Sequence, residues 1–230
     1  MAEEKKQDLM EKIVSLCKRR GFIFQGSEIY GGLAGTWDYG PYGASLSHNI
    51  KELWWKHFVS EQENIFGIST PTIMPEGVWK ASGHLSGFTD PMIECKKCHH
   101  RFRSDHLADK SKCPDCGGEL GEEKSFNLMF PVNMGSSSDS VAYLRGEIAP
   151  GMFVNFKNVL DTIHPDLPFG LAQIGRAYRN EIAPRDFLFR VREFDLMEFE
   201  FFLREETWEK YFEMWRTEMW RCVERVGIKK

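Results

Sequence analysis

Apolar residues along this chain recur at helical spacing in some stretches and alternate residue by residue in others. Leu9, Ile13 and Leu16 repeat at steps of three and four, which predicts a helix over 8–20 with these three as its buried stripe. Asp8 with Glu11 three residues on, and Gly21 beyond the end, are suited to cap that helix. The following FIFQGSEIYGGLAGTWDYGP sets Gly31, Gly32, Gly35 and Gly40 among aromatics and predicts a shaped loop with short strand pieces. Leu46, Ile50, Leu53, Trp54 and Phe58 share one side of a second helix over 45–60. A strand over 65–74 runs to Pro75, and short strands follow at 125–132 and 153–156. A helix is predicted over 156–163, and a long antiparallel pair over 171–179 and 187–203. Trp208, Phe212, Trp215, Met219, Val223 and Val226 mark a last helix over 207–226, with the stripe read as core.

Residues 94–118 break this apolar pattern. They are polar and rich in Lys and Cys, and read as a small inserted module. Cys95-x2-Cys98 and Cys113-x2-Cys116 are two knuckles separated by 14 residues. Four thiolates in that spacing suit a tetrahedral, closed and therefore structural zinc site. An iron–sulfur site and a ribbon that no longer binds metal are the alternatives, with His99 and His100 as substitute ligands. Paired CxxC units point to metal rather than disulfide in a reducing compartment. The remaining Cys17 and Cys222 fall inside helical patterns.

Composition adds bounds. The 230 residues are 42% hydrophobic, enough for one large domain with a sizeable core. The formal charge of −4 gives no global field that would attract nucleic acid. No apolar run approaches membrane-spanning length, and residues 1–8 lack a signal-peptide core, so a cytoplasmic protein free of the membrane is expected.

The chemistry concentrates in GRAYRNEIAPRDFLFRVREFDLMEFEFF, residues 175–202. Arg179, Asn180 and Glu181 close the first strand, and a loop with Pro184, Arg185 and Asp186 follows. The second strand carries Arg190, Arg192, Phe194, Glu198 and Glu200. Strand side chains alternate faces, so Met197, Phe199, Phe201 and Leu203 form a core face. Phe194, Leu196, Glu198 and Glu200 form the other. Carboxylates and guanidiniums gathered on paired strands are costly to bury unless they serve a ligand. Phe194 and Glu198 stand roughly 13 Å apart at strand rise, a span for one ligand with a flat end and a cationic end. An exposed face laced with salt bridges accounts for the same residues.

This strand–loop–strand resembles motif 2 of the class II aminoacyl-tRNA synthetases, an Arg-x-Glu strand returning through a phenylalanine. SEIYGGLAGTWDYGP at 27–41, WKASGHLSGFTDP at 79–91, FRSDHL at 102–107, FVNFKNVL at 153–160 and AQIGRAYRNEIAPR at 172–185 are similar to the dimeric glycyl-tRNA synthetases of bacterial and eukaryotic type. The resemblance runs from about residue 10 to the end, with its motifs in order. It implies an α+β fold, an antiparallel sheet flanked by helices, with the zinc ribbon inserted and the segment ending at Pro75 as the dimer-building motif 1. Residues 1–230 would then be the N-terminal part of a catalytic domain, without motif 3 and the anticodon-binding domain, as a fragment or as one half of a split enzyme.

By that resemblance glycine is activated with ATP and transferred to tRNA(Gly). Arg179 would hold the α-phosphate and the substrate carboxylate, Glu181 would meet the adenine amino group, and Phe194 would stack on the ring. Asn180, Phe189, Arg190, Arg192 and Glu193 complete the ATP set, with Mg2+ bridging the phosphates. Glu147 and Glu198 would hold the glycine ammonium, and Arg103, taken as following the ribbon, would be a further substrate contact. Around Glu147 the chain reads RGEIAPG where the family is expected to read RPETAQG, so Gly146, Ile148 and Pro150 stand for Pro, Thr and Gln. The loss of side-chain donors at 148 and 150 bears on glycine binding. A synthetase-like module without chemistry is the competing reading. A ribbon-based RNA-binding protein would account for the cysteines but not for motif 2.

Overall fold

The computed structural model describes residues 2–136, 141–184 and 187–229, with side chains from residue 9 onward. In chain order the elements are α1 (Ala2–Arg19), β1 (Ile23–Gln25), β2 (Trp37–Tyr39), α2 (Pro41–Trp55), β3 (Ile65–Gly67), β4 (Ile73–Pro75), α3 (Glu76–Ala81), α4 (His84–Gly87), β5 (Thr89–Glu94) and β6 (Arg101–Arg103). There follow β7 (Lys124–Asn127), β8 (Phe130–Asn133), β9 (Val141–Leu144), α5 (Ala149–Ile163), β10 (Phe169–Tyr178), β11 (Glu193–Phe202) and α6 (Trp208–Arg225).

The long pair β10–β11 organises the rest. Ten residues of each strand pair antiparallel, from Phe169 opposite Phe202 to Tyr178 opposite Glu193, and β3 adds a short parallel edge to β10. Alternation then sorts the side chains. Ala172, Ile174, Met197, Phe199 and Phe201 pack against Trp54, Phe58 and Val59 from α2 and its π-helical continuation Lys56–Ser60, and against Trp215 of α6. Phe169, Leu171, Leu196 and Phe202 pack on the other face against Ile148, Met152, Phe156 and Val159 around α5. The sheet is thus a layer between helices, with Glu198 and Glu200 on the α5 face opposite Gln173 and Leu171. The expected core face of the second strand is as observed for Met197, Phe199 and Phe201.

Two smaller antiparallel sheets, β4-β9-β8 and β6-β5-β7, carry Glu147 and the cysteine knuckles respectively near their ends. No helix among the described residues is long and apolar enough to cross a membrane.

Several expected elements differ. The strand over 65–74 is two strands in different sheets. Between them Thr70 and Pro71 give their carbonyls to Arg145, and Pro71 has no N–H for a ladder. Residues 153–156 are not a strand but lie inside α5, where Phe156 faces the sheet and Phe153 faces out, 54% exposed. The strand over 125–132 is also two, β7 and β8. The first helix starts at Ala2, so Asp8 lies within it rather than capping it. Its stripe of Leu9, Ile13 and Leu16 is exposed. The stripe of α6 is only partly core: Trp215 is 7% exposed and Phe212 is 58% exposed, because the helix meets the sheet along Tyr211, Trp215 and Cys222.

Candidate active site

Arg179 follows the last residue of β10, its backbone N–H still donating to the Arg192 carbonyl at 2.9 Å. Its guanidinium lies between two aromatic rings, 5.2 Å from the centre of Phe88 and 5.1 Å from that of Phe194. Its Nε donates to the Gly146 carbonyl at 3.3 Å. A planar cation held between two rings is fixed in orientation while its edge stays available to an anion.

Glu181 is buried, and Nε of Arg190 lies 3.4 Å from its Oε2. That oxygen has no hydrogen-bond partner, an unmet acceptor of the kind a ligand donor satisfies. Arg179, Glu181, Phe189, Arg190 and Phe194 line one cleft of about 630 Å3 together with apolar residues of α1 and α2.

The carboxylates form a second group beside it. Burial raises the Glu198 carboxyl above its usual range, Glu147 and Glu200 push the same way, and Arg179 opposes them. Burial and Glu147 also raise Glu200. These three carboxylates together, with Arg179 opposing at Glu198, make a locus of excess negative charge that a small cation would relieve. Glu147 is further held by His84, whose Nε2 stands 3.1 Å from its Oε1.

Not every expected residue faces this locus. Arg190 and Arg192 precede β11 rather than lying on it, because the strand begins at Glu193. Arg192 is a tether: Nη1 donates to the Ala34 carbonyl, Nη2 to the Glu181 carbonyl, and its N–H to the Gly35 carbonyl. The glycine-rich loop is thereby fastened beside the site. At Gly35, with φ +74°, an added Cβ would meet Pro184 at 2.5 Å. Asn180 gives its N–H to the Leu128 carbonyl, and Glu193 pairs with Arg176.

Arg103 does not follow the ribbon. It ends β6, between the two knuckles, and holds Asp105 through two hydrogen bonds and Asp90 through a third. Its guanidinium is held above its ordinary value by the hydrogen bond to Asp105, then by the charges of Asp90, Asp105 and Glu181, against desolvation. Arg185 and Asp186 lie outside the described residues.

The departures at 146–150 also find their places. Ile148 is fully buried in the apolar cluster of Met152, Phe169 and Leu171, and Pro150 is buried at the start of α5. Ile148 therefore faces core, not ligand. Arg145, which the sequence did not single out, anchors the segment. It is buried and donates to the carbonyls of Arg176, Thr70 and Pro71. His84 and Phe88 join the site without having been expected there, and Glu200, expected on the charged face but given no role, joins it too. WKASGHLSGFTDP at 79–91 was the signal available for the first two.

The four cysteine sulfurs lie within 4.8 Å of one another, a set that could hold a metal ion. Backbone N–H groups of Lys97 and Cys98 point at Cys95 Sγ at 3.4 and 3.5 Å, as a thiolate ligand requires. Gly118 permits the two knuckles to close on each other, since a Cβ there would meet Lys97 Cβ at 2.8 Å and the sulfurs of Cys95 and Cys116 at 3.3 Å.

Solved structures share this fold. Prolyl-tRNA synthetase of Giardia lamblia in complex with prolyl-adenylate matches 97% of the chain and 36% of its own length, with TM-score 0.63 and 17% identity. The RNA binding domain of threonyl-tRNA synthetase from Cryptosporidium parvum matches 90% and 40%, with TM-score 0.59 and 19% identity. The fold is that of a class II tRNA synthetase domain.

Sequence relatives narrow this. The glycine–tRNA ligase of Treponema denticola is 49% identical over 226 residues, covering 96% of this chain and 50% of that protein. That of Borreliella burgdorferi is 48% identical over 211 residues, with 90% and 47% covered. That of Clostridium acetobutylicum is 45% identical over 257 residues, with 98% and 56% covered. No protein-family model matches. The chain is a relative of the glycine–tRNA ligases and spans about half their length.

Proposed function

We propose that this chain supplies the nucleotide- and glycine-binding half of a glycine–tRNA ligase. The observation that carries this reading is the guanidinium of Arg179, set against Phe194 beside the carboxylates of Glu147, Glu198 and Glu200. Amino-acid activation joins a carboxylate to the α-phosphate of ATP and releases pyrophosphate. It needs a cation where the two anions meet and anionic groups where the ammonium rests; positioning and charge then do most of the catalysis.

Arg179 holds the α-phosphate and the glycine carboxylate. Phe194 stacks on adenine, and Oε2 of Glu181, ion-paired with Arg190 but without a hydrogen bond, accepts from the adenine amino group, with Arg190 and Phe189 lining the same cleft. Glu147 and Glu198 hold the ammonium, with Glu200 reinforcing the field. Arg103 contributes through its charge on Glu181. Mg2+, when bound, neutralises the phosphates. Glycine offers no side chain to read, so alanine is rejected by lack of room.

The cysteine cluster takes zinc as a structural ion, because four sulfurs leave no position for water. Residues 94–118 are read as an inserted ribbon. The chain works in the cytoplasm as part of a homodimer joined through the segment 41–75, where Tyr42 and Ile73 are exposed. The final acceptor is tRNA(Gly). The competing reading, a synthetase-like module without chemistry, rests on RGEIAPG at 145–151 and on the missing C-terminal half; the burial of Ile148 and Pro150 speaks against the first of these.

The test is glycine-dependent ATP–pyrophosphate exchange, on this chain alone and with the C-terminal half of a relative added. Exchange that appears with glycine and is lost in Arg179→Ala supports the ligase reading. No exchange under either condition, from folded and metal-loaded protein, would sink it.

A further inference from the structure

His84 and Phe88 lie four residues apart across the short helix α4, outside the sheet that carries the ligand-facing groups. His84 sits between the rings of Trp79 and Phe88, with centroids at 5.1 and 5.2 Å. Its Nδ1 meets the Ser82 hydroxyl at 2.9 Å and its Nε2 meets Glu147 at 3.1 Å. The neutral tautomer with the proton on Nε2 satisfies both contacts, the serine donating and the carboxylate accepting.

Phe88 and Phe194 both turn their rings to Arg179, with centres 5.2 and 5.1 Å from the guanidinium carbon. The ring contacts Trp79–His84–Phe88–Arg179–Phe194 form an unbroken series, edge-on or tilted at His84. It is anchored, because Asn127 Nδ2 donates to the carbonyls of His84 and Leu85, and the Leu128 N–H donates to that of Phe88. Gly146 lets the column close. A Cβ there would come within 3.1 Å of both Phe88 and Met129.

We propose that His84 and Phe88 are a pair of positioning residues that divide the work: His84 sets the carboxylate of Glu147, and Phe88 sets the guanidinium of Arg179. The inference rests on the ligase reading above. It adds that one short helix controls separately the group that meets the glycine ammonium and the group that meets the phosphate. A helix that served only as packing would not divide them.

The test is the kinetics of glycine-dependent exchange, with the C-terminal half of a relative present and folding monitored by thermal unfolding. His84→Ala should raise KM for glycine about 10–100-fold, as expected for losing a hydrogen bond to a charged group, and leave KM for ATP and kcat within about twofold. His84→Gln, whose amide nitrogen can reach the place of Nε2, should recover most of the loss. Phe88→Leu should lower kcat about tenfold and raise KM for ATP as well as for glycine, because Arg179 meets both anions, and Phe88→Tyr should restore them. The assignment is overturned if both variants move the same set of constants, or if Gln rescues no better than Ala. Absence of exchange in the unaltered protein would instead remove the ligase reading, and this assignment with it.

Discussion

Ile148 stands where the glycyl family is expected to carry threonine, and the structure gives that position to the core. Restoring threonine therefore tests the packing directly. Ile148 is fully buried among Met152, Phe169 and Leu171. The change removes two apolar carbons, about 1.6 kcal/mol of transfer free energy. It also buries a hydroxyl, at about 1–3 kcal/mol when unpartnered. The hydroxyl gains little by capping α5, because Ile148 sits at φ −102°, ψ −18° rather than in the extended region a side-chain cap uses. Ile148→Thr should thus destabilise the chain by about 3–4 kcal/mol. For a chain of this size that lowers Tm by roughly 6–15 °C. The assay is urea unfolding of the variant and the parent, with glycine affinity measured alongside. A loss below about 1 kcal/mol would fall within the range of an exposed site and would refute the reasoning. So would tighter glycine binding, because both place the side chain at the ligand.

Two further outcomes follow from the charges and the sulfurs. Glu198 is raised by burial and by its acidic neighbours, so the folded state holds its proton more tightly than the unfolded chain. Its contribution to stability falls as pH rises from the unfolded value through the raised one. Glu198→Gln should therefore raise stability at pH 7, and Tm with it, by on the order of 0.5 kcal/mol because the group is only half buried. The gain should vanish at pH 4, while exchange activity is lost; a Tm that rises equally at both pH values would count against it. Chelation should release one zinc per chain and open residues 94–118 to protease while the Trp215 core stays closed. Gly118→Ala should weaken metal retention, because its Cβ would crowd the sulfurs of Cys95 and Cys116; unchanged metal content would contradict the knuckle geometry.

Much of the central sheet was legible in the sequence. The period-two pattern of Met197, Phe199 and Phe201 against Leu196, Glu198 and Glu200 is a local property of a strand, and it survived folding intact. Helix faces were harder. Leu9, Ile13 and Leu16 repeat as a stripe should, yet stay exposed. Periodicity says that a face is apolar, not that the described residues cover it. On α6 the buried line is shifted to Tyr211, Trp215 and Cys222, because the crossing with Phe199 and Phe201 decides which turns touch.

The strand over 65–74 failed for a tertiary reason. Arg145, distant in sequence, draws the carbonyls of Thr70 and Pro71 out of any ladder. The site divides the same way. Arg179, Glu181 and Phe194 lie in one contiguous motif and could be read together. His84 reaches Glu147, and Phe88 reaches Arg179, across tens of residues that no local pattern connects.

The most direct measurement is calorimetric binding of a non-hydrolysable glycyl-adenylate analogue, the sulfamoyl adenosine, to this chain with the C-terminal half of a relative present. The account predicts binding that weakens at least about tenfold for the alanyl analogue, the scale at which one added carbon is told apart. It also predicts that Glu198→Gln weakens the glycyl analogue about tenfold, by loss of a charge-assisted hydrogen bond to the ammonium, and leaves the steric discrimination against the alanyl analogue in place. Equal affinity for the glycyl and alanyl analogues, or affinity for glycyl analogue no better than for adenosine alone, would contradict the placement of glycine among these carboxylates.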